Sequence, residues 1–67
     1  MGIFNGINTS GKIKAVLAAH DVTFKGLAVT LGLTPETITT RMRENNWKLQ
    51  ELKAIASIFE IDVGDLV

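Results

Sequence analysis

Between Thr34 and Arg43 the chain sets four threonines, one glutamate and two arginines within ten positions. None of them forms the nucleophile-and-base grouping that covalent catalysis needs. The single histidine, His20, lies outside this stretch and reads as a helix-end residue, not as a metal ligand or general base. What these side chains can do is hydrogen-bond at close range. Threonine hydroxyls donate to or accept from base edges and threonine methyls meet thymine methyls. Arginine pairs with guanine, and glutamate accepts from the cytosine amino group. Glu36, Thr40 and Arg43 are the central candidates, with Thr37, Thr39 and Glu44 flanking them.

Such a set is useful only if one element presents it on one face. Ile38 and Met42 are four apart, so they share the inward side of a helix running from Pro35 to about Glu44. A step of about 100° per residue then places Glu36, Thr40 and Arg43 opposite them. The start of this helix is marked by Thr34-Pro35-Glu36: a capping hydroxyl, a proline at the first helical position and an acid at the positive end of the helix dipole. Gly32 lies just upstream, where a positive φ ends the preceding helix tightly. That helix spans Phe24 to Leu31, capped by Thr23, with Leu27, Ala28 and Leu31 as its apolar stripe. A small residue at Ala28 lets the two helices approach closely, and Leu33 fills the turn between them.

Outside this pair, Ile13, Val16 and Leu17 predict a first helix from Lys12, capped by Ser10 and closed at His20-Asp21. Asn45-Asn46 breaks the pattern, and Trp47, Leu49, Leu52, Ile55, Ala56 and Phe59 form the stripe of a fourth helix. Trp47 is expected to anchor the third and fourth helices with its indole N–H near solvent. Ile61, Val63 and Leu66, with Asp62 as cap, predict a short fifth helix. Residues 1–11, glycine- and asparagine-rich and uncharged, read as a flexible N-terminal arm, leaving 12–67 as the folded domain. The expected class is all-α: a compact five-helix bundle around a central helix-turn-helix.

At 67 residues with 46% hydrophobic composition, the chain has room for one small core and little volume for a substrate cleft, so an enzyme is not expected. The absence of cysteine removes disulfides and Cys-based zinc sites, and no cofactor or metal is expected. No apolar run approaches the ~20 residues of a membrane span and no leader pattern opens the chain, so a cytoplasmic location is expected. The formal net charge of zero weighs against nucleic-acid binding, which rests on phosphate neutralisation. Its distribution does not: all seven Lys and Arg fall between Lys12 and Lys53, against four acids there, a local net of +3. Glu60, Asp62 and Asp65 gather at the other end.

With "VTFKGLAVTLGLTPETITTRM" for the motif and "WKLQELKAIASIFEIDVGDL" for the segment after it, the chain resembles the phage repressor and Cro-like, or XRE-type, helix-turn-helix proteins over roughly Lys12 to Val67. The resemblance implies a lambda-repressor-like five-helix fold, dimeric binding to operator-like double-stranded DNA, and a third helix in the major groove. Carried onto this chain, base reading falls to Thr34, Pro35, Glu36, Thr37 and Thr40, and phosphate holding to Thr23, Lys25, Arg41, Arg43, Asn46 and Lys48. The chain departs from the family pattern at three places. Phe24 stands where glutamine is frequent, Gly26 where glutamate is frequent, and Arg41 where an apolar residue is common, with Met42 taking that role one residue later.

Two readings follow. The first is a small sequence-specific transcriptional regulator of the repressor or Cro type, working as a homodimer at least on DNA. Ile61, Val63, Leu66 and Val67 are the first candidates for the dimer contact and Ile3 and Phe4 lesser ones. The second keeps the fold but recognises a regulatory protein partner, as an antirepressor-like modulator. A positive collar of Lys25, Arg41, Arg43 and Lys48 around the third helix marks the first reading, and exposed apolar residues there mark the second. For Arg41 and Arg43 the plain alternative is that they are solvated cations at a helix C-terminus.

Overall fold

Asn8 begins the described structure's first helix: its side chain accepts from the Gly11 amide at 2.9 Å, one of the amides that a helix start leaves without a partner. The computed structural model describes residues 7–67, and within them four α-helices follow in order: α1 (Thr9–Ala19), α2 (Phe24–Leu31), α3 (Pro35–Glu44) and α4 (Leu49–Ile58). Helix α1 therefore starts three residues before Lys12, and Ser10 lies inside it instead of capping it. The arm reading does not hold for Thr9–Gly11, which are helical, while Ile3 and Phe4 lie outside the described residues.

The caps of α2 and α3 fall on the expected residues. Thr23 accepts from the Gly26 amide at 3.0 Å, and Thr34 from the Thr37 amide at 3.2 Å. Gly32 closes α2 with φ of 72°, a left-handed conformation that costs glycine little, and the Leu33 amide then reaches back to the Ala28 carbonyl at 2.8 Å. Asn45 closes α3, also left-handed at φ 53°.

The chain's last segment departs from expectation. The fifth helix is only a 3₁₀ turn at Val63–Asp65, so the bundle has four α-helices. Asp62 caps this turn through the Gly64 amide as predicted, but Leu66 drops directly into the core and ends it. Helix α4 begins at Leu49, after Trp47, and Leu49 points outward, 57% exposed.

One core unites the elements: Ile13 and Leu17 from α1, Leu27 and Ala28 from α2, Ile38 from α3, Leu52, Ile55 and Ala56 from α4, and Leu66. Ile13, Ala28, Ile38, Ile55 and Leu66 are fully enclosed. Enclosure of Ala28 fits its expected role, since a larger side chain there would hold α3 away from α2. Met42, Leu31, Leu33, Trp47 and Phe59 pack partly buried around this centre.

Candidate nucleic-acid interface

Helix α3 presents the predicted face. With Ile38 fully buried and Met42 turned partly inward, Pro35, Glu36, Thr39, Thr40 and Arg43 line one shallow, open depression on the outer side. Glu36 and Arg43 are exposed and Thr40 is half-buried. None of the exposed large hydrophobics among the described residues (Ile7, Val29, Leu49, Ile58 and Val67) belongs to α3. The outer face of α3 is thus polar.

The hydroxyls on this face are not equivalent. Thr39 donates to the Pro35 carbonyl at 3.1 Å, so its proton is committed to the helix backbone. Thr34 Oγ1 and Thr37 Oγ1 lie 2.9 Å apart. One proton fills that contact whichever hydroxyl donates it, which leaves the other hydroxyl's proton for an outside acceptor. No hydrogen bond holds the Thr40 hydroxyl among the described residues, so its donor and acceptor capacity are both uncommitted, on a residue that lines the outer depression.

The cations divide. Lys25, Arg43 and Lys48 are exposed, Lys25 at the start of α2, Arg43 near the end of α3 and Lys48 just before α4. Among the described residues Arg43 pairs only with its neighbour Glu44, at 3.5 Å in solvent. Arg41 is different: its Nε donates to Glu51 Oε1 at 3.0 Å and its Nη2 to Oε2 at 3.3 Å, with both side chains largely out of solvent. Glu51 also accepts from the Lys48 amide at 2.9 Å, so one carboxylate caps the start of α4 and ties it to α3. Burial pushes the Glu51 carboxyl upward, but the Arg41 guanidinium, the Lys48 amide and the nearby positive charges outweigh it and hold it below its ordinary value. Of the four cations expected to form a collar, Lys25, Arg43 and Lys48 are exposed, Arg43 lines the depression on α3, and the Arg41 guanidinium is engaged by α4. Thr23, at the α2 cap, and Asn46, in the link between α3 and α4, are both exposed.

A second polar knot holds the far end of α3, and it was not anticipated. Ser10 is buried; its amide and hydroxyl both donate to Asn45 Oδ1, at 2.9 and 3.0 Å, and its hydroxyl accepts the Trp47 indole N–H at 3.0 Å. The Trp47 N–H therefore points at a buried serine, not at solvent. The signal available in the sequence was weak: one serine and one asparagine among many, separated by 35 positions.

The model of the Cro/C1-type helix-turn-helix DNA-binding domain matches residues 12–67, and the chain belongs to that family. DNA binding is the activity of this class. Neither the curated proteins nor the solved structures gave a match. Among the described residues no helix is long and apolar enough to cross a membrane.

Proposed function

We propose that this protein is a small regulator of transcription that binds double-stranded DNA sequence-specifically, with α3 in the major groove. The observation that carries the reading is the outer face of α3. It is polar, free of large exposed hydrophobics, and lined at one side by the exposed Arg43. Glu36 and Thr40 read base edges, joined by Pro35 and by the hydroxyl pair Thr34–Thr37. Thr39, its hydroxyl proton committed to the Pro35 carbonyl, contributes its methyl. Thr23, Lys25, Arg43, Asn46 and Lys48 hold phosphates. Arg41 acts indirectly by fixing the start of α4, and with it Lys48.

The role we propose is that of a repressor of the Cro type acting on chromosomal or phage operators in the cytoplasm, as a homodimer on DNA. One α3 spans only a few base pairs, and two half-sites one helical turn apart supply the missing affinity. Duplexes recovered by selection from a random pool, titrated by fluorescence anisotropy at several salt concentrations, test the proposal. The expected result is binding that weakens with salt, with a log–log slope of about −0.9 per phosphate neutralised. Failure to bind any duplex at low salt, or affinity indifferent to salt, points instead to a protein partner.

A further inference from the structure

A second depression lies beside the reading face and shares a wall with it. Thr39 and Arg43 line both. The second, of about 410 Å³, is completed by Asn8 and Lys14 from the α1 side, with Phe24 and Met42 as its apolar part. Among the described residues no carboxylate lines it. Two cations from different helices, Lys14 and Arg43, thus line one open hollow, and Arg43 keeps only its solvent-exposed contact with Glu44.

Lys14 is exposed, and among the described residues it has no ion-pair partner. Its neighbour Lys12 is in a different position, with its Nζ donating to the Val67 carbonyl at 2.8 Å. A chain with zero net charge binds DNA only through local concentrations of positive charge, and this hollow is one that adjoins the reading face directly. Its lining also has two characters that match a nucleotide backbone. Ammonium, guanidinium and the Asn8 amide suit phosphate oxygens, and the Phe24 ring and Met42 thioether suit the apolar edge of deoxyribose.

We propose that the DNA interface extends beyond α2 and α3 onto α1, with Lys14 holding a backbone phosphate beside the one that Arg43 reaches, and with Phe24 packing against the intervening sugar. The inference rests on the DNA-binding reading above. It also gives Phe24 a role at the position where the family frequently carries glutamine.

Anisotropy titrations of the full chain against a selected duplex and an unrelated one, over a series of salt concentrations, test it. Lys14→Ala should weaken binding to both duplexes and make the log–log salt slope shallower by about 0.9, one phosphate's worth. Lys14→Arg should retain the slope. Lys53→Ala, a charge loss on α4 at a residue lining neither depression, should leave it unchanged. Far-UV circular dichroism should show the same melting for Lys14→Ala as for the parent, since the side chain is exposed. A parent chain that binds with a salt slope Lys14→Ala does not alter, or a Lys53→Ala loss as large as that of Lys14→Ala, overturns this inference and leaves the DNA-binding reading standing. A parent that binds no duplex overturns both.

Discussion

Arg41 lies about 60° around α3 from Ile38 and Met42 about 40° on the other side, so both flank the inward direction. At that angle an arginine cannot reach solvent freely, and this one satisfies its charge on Glu51. Glu51→Gln should destabilise the fold by about 1–3 kcal/mol at neutral pH, read from urea melts, because the charge-assisted bonds to Arg41 are lost or weakened. The pH dependence has a definite sign. The folded-state pKa of Glu51 is lowered, so its contribution is full above the ordinary carboxylate value and disappears as pH falls through the depressed folded value. Parent stability should therefore fall more steeply on acidification through that window than that of Glu51→Gln. Parallel acid limbs for the two proteins contradict this role.

At the scale of the helices, what could be read in advance was what local chemistry decides. Thr23, Gly32, Thr34 and Pro35 act on amides or dihedrals within a few residues of themselves, and all stand where expected. What could not be read was non-local. The Ser10–Asn45–Trp47 knot and the Arg41–Glu51 pair join residues from different helices or links, and no periodicity announces such partners. The final helix failed for a related reason: once Leu66 is needed in the core, only three residues remain between it and the Asp62 cap. Two substitutions probe these elements. Ser10→Ala leaves the partly buried Trp47 indole N–H without its acceptor and removes a donor to Asn45. It should cost about 1–3 kcal/mol and shift Trp47 fluorescence emission, whereas an unchanged melt and spectrum would make the knot incidental. Gly26→Ala should stabilise by about 0.5–1 kcal/mol, since a Cβ there would meet only Thr23 Oγ1 at 3.4 Å and Val22 Cγ1 at 3.6 Å. A loss of stability would mean those neighbours cannot yield.

Across the whole molecule, packing leaves the proposed dimer without the surface first expected for it. Leu66 is fully buried within its own chain, and Ile61 and Val63 pack partly buried against the same core, leaving Val67 as the exposed member of that set. Assembly is therefore expected to depend on DNA: sedimentation should show a monomer-dominated free protein and two copies on a palindromic duplex. A single copy on such a duplex at saturation contradicts the dimer. Sequence-specific binding by this molecule requires α3 to be the element that reads DNA. The most direct measurement is the affinity of the parent, Glu36→Ala, Thr40→Ala and Arg43→Ala for a selected duplex and its single-base variants. Glu36→Ala and Thr40→Ala should each flatten discrimination at particular base pairs by about 1–3 kcal/mol, while Arg43→Ala weakens every duplex alike. If Glu36→Ala and Thr40→Ala keep the parent's base preferences with their helical spectra intact, α3 does not read DNA.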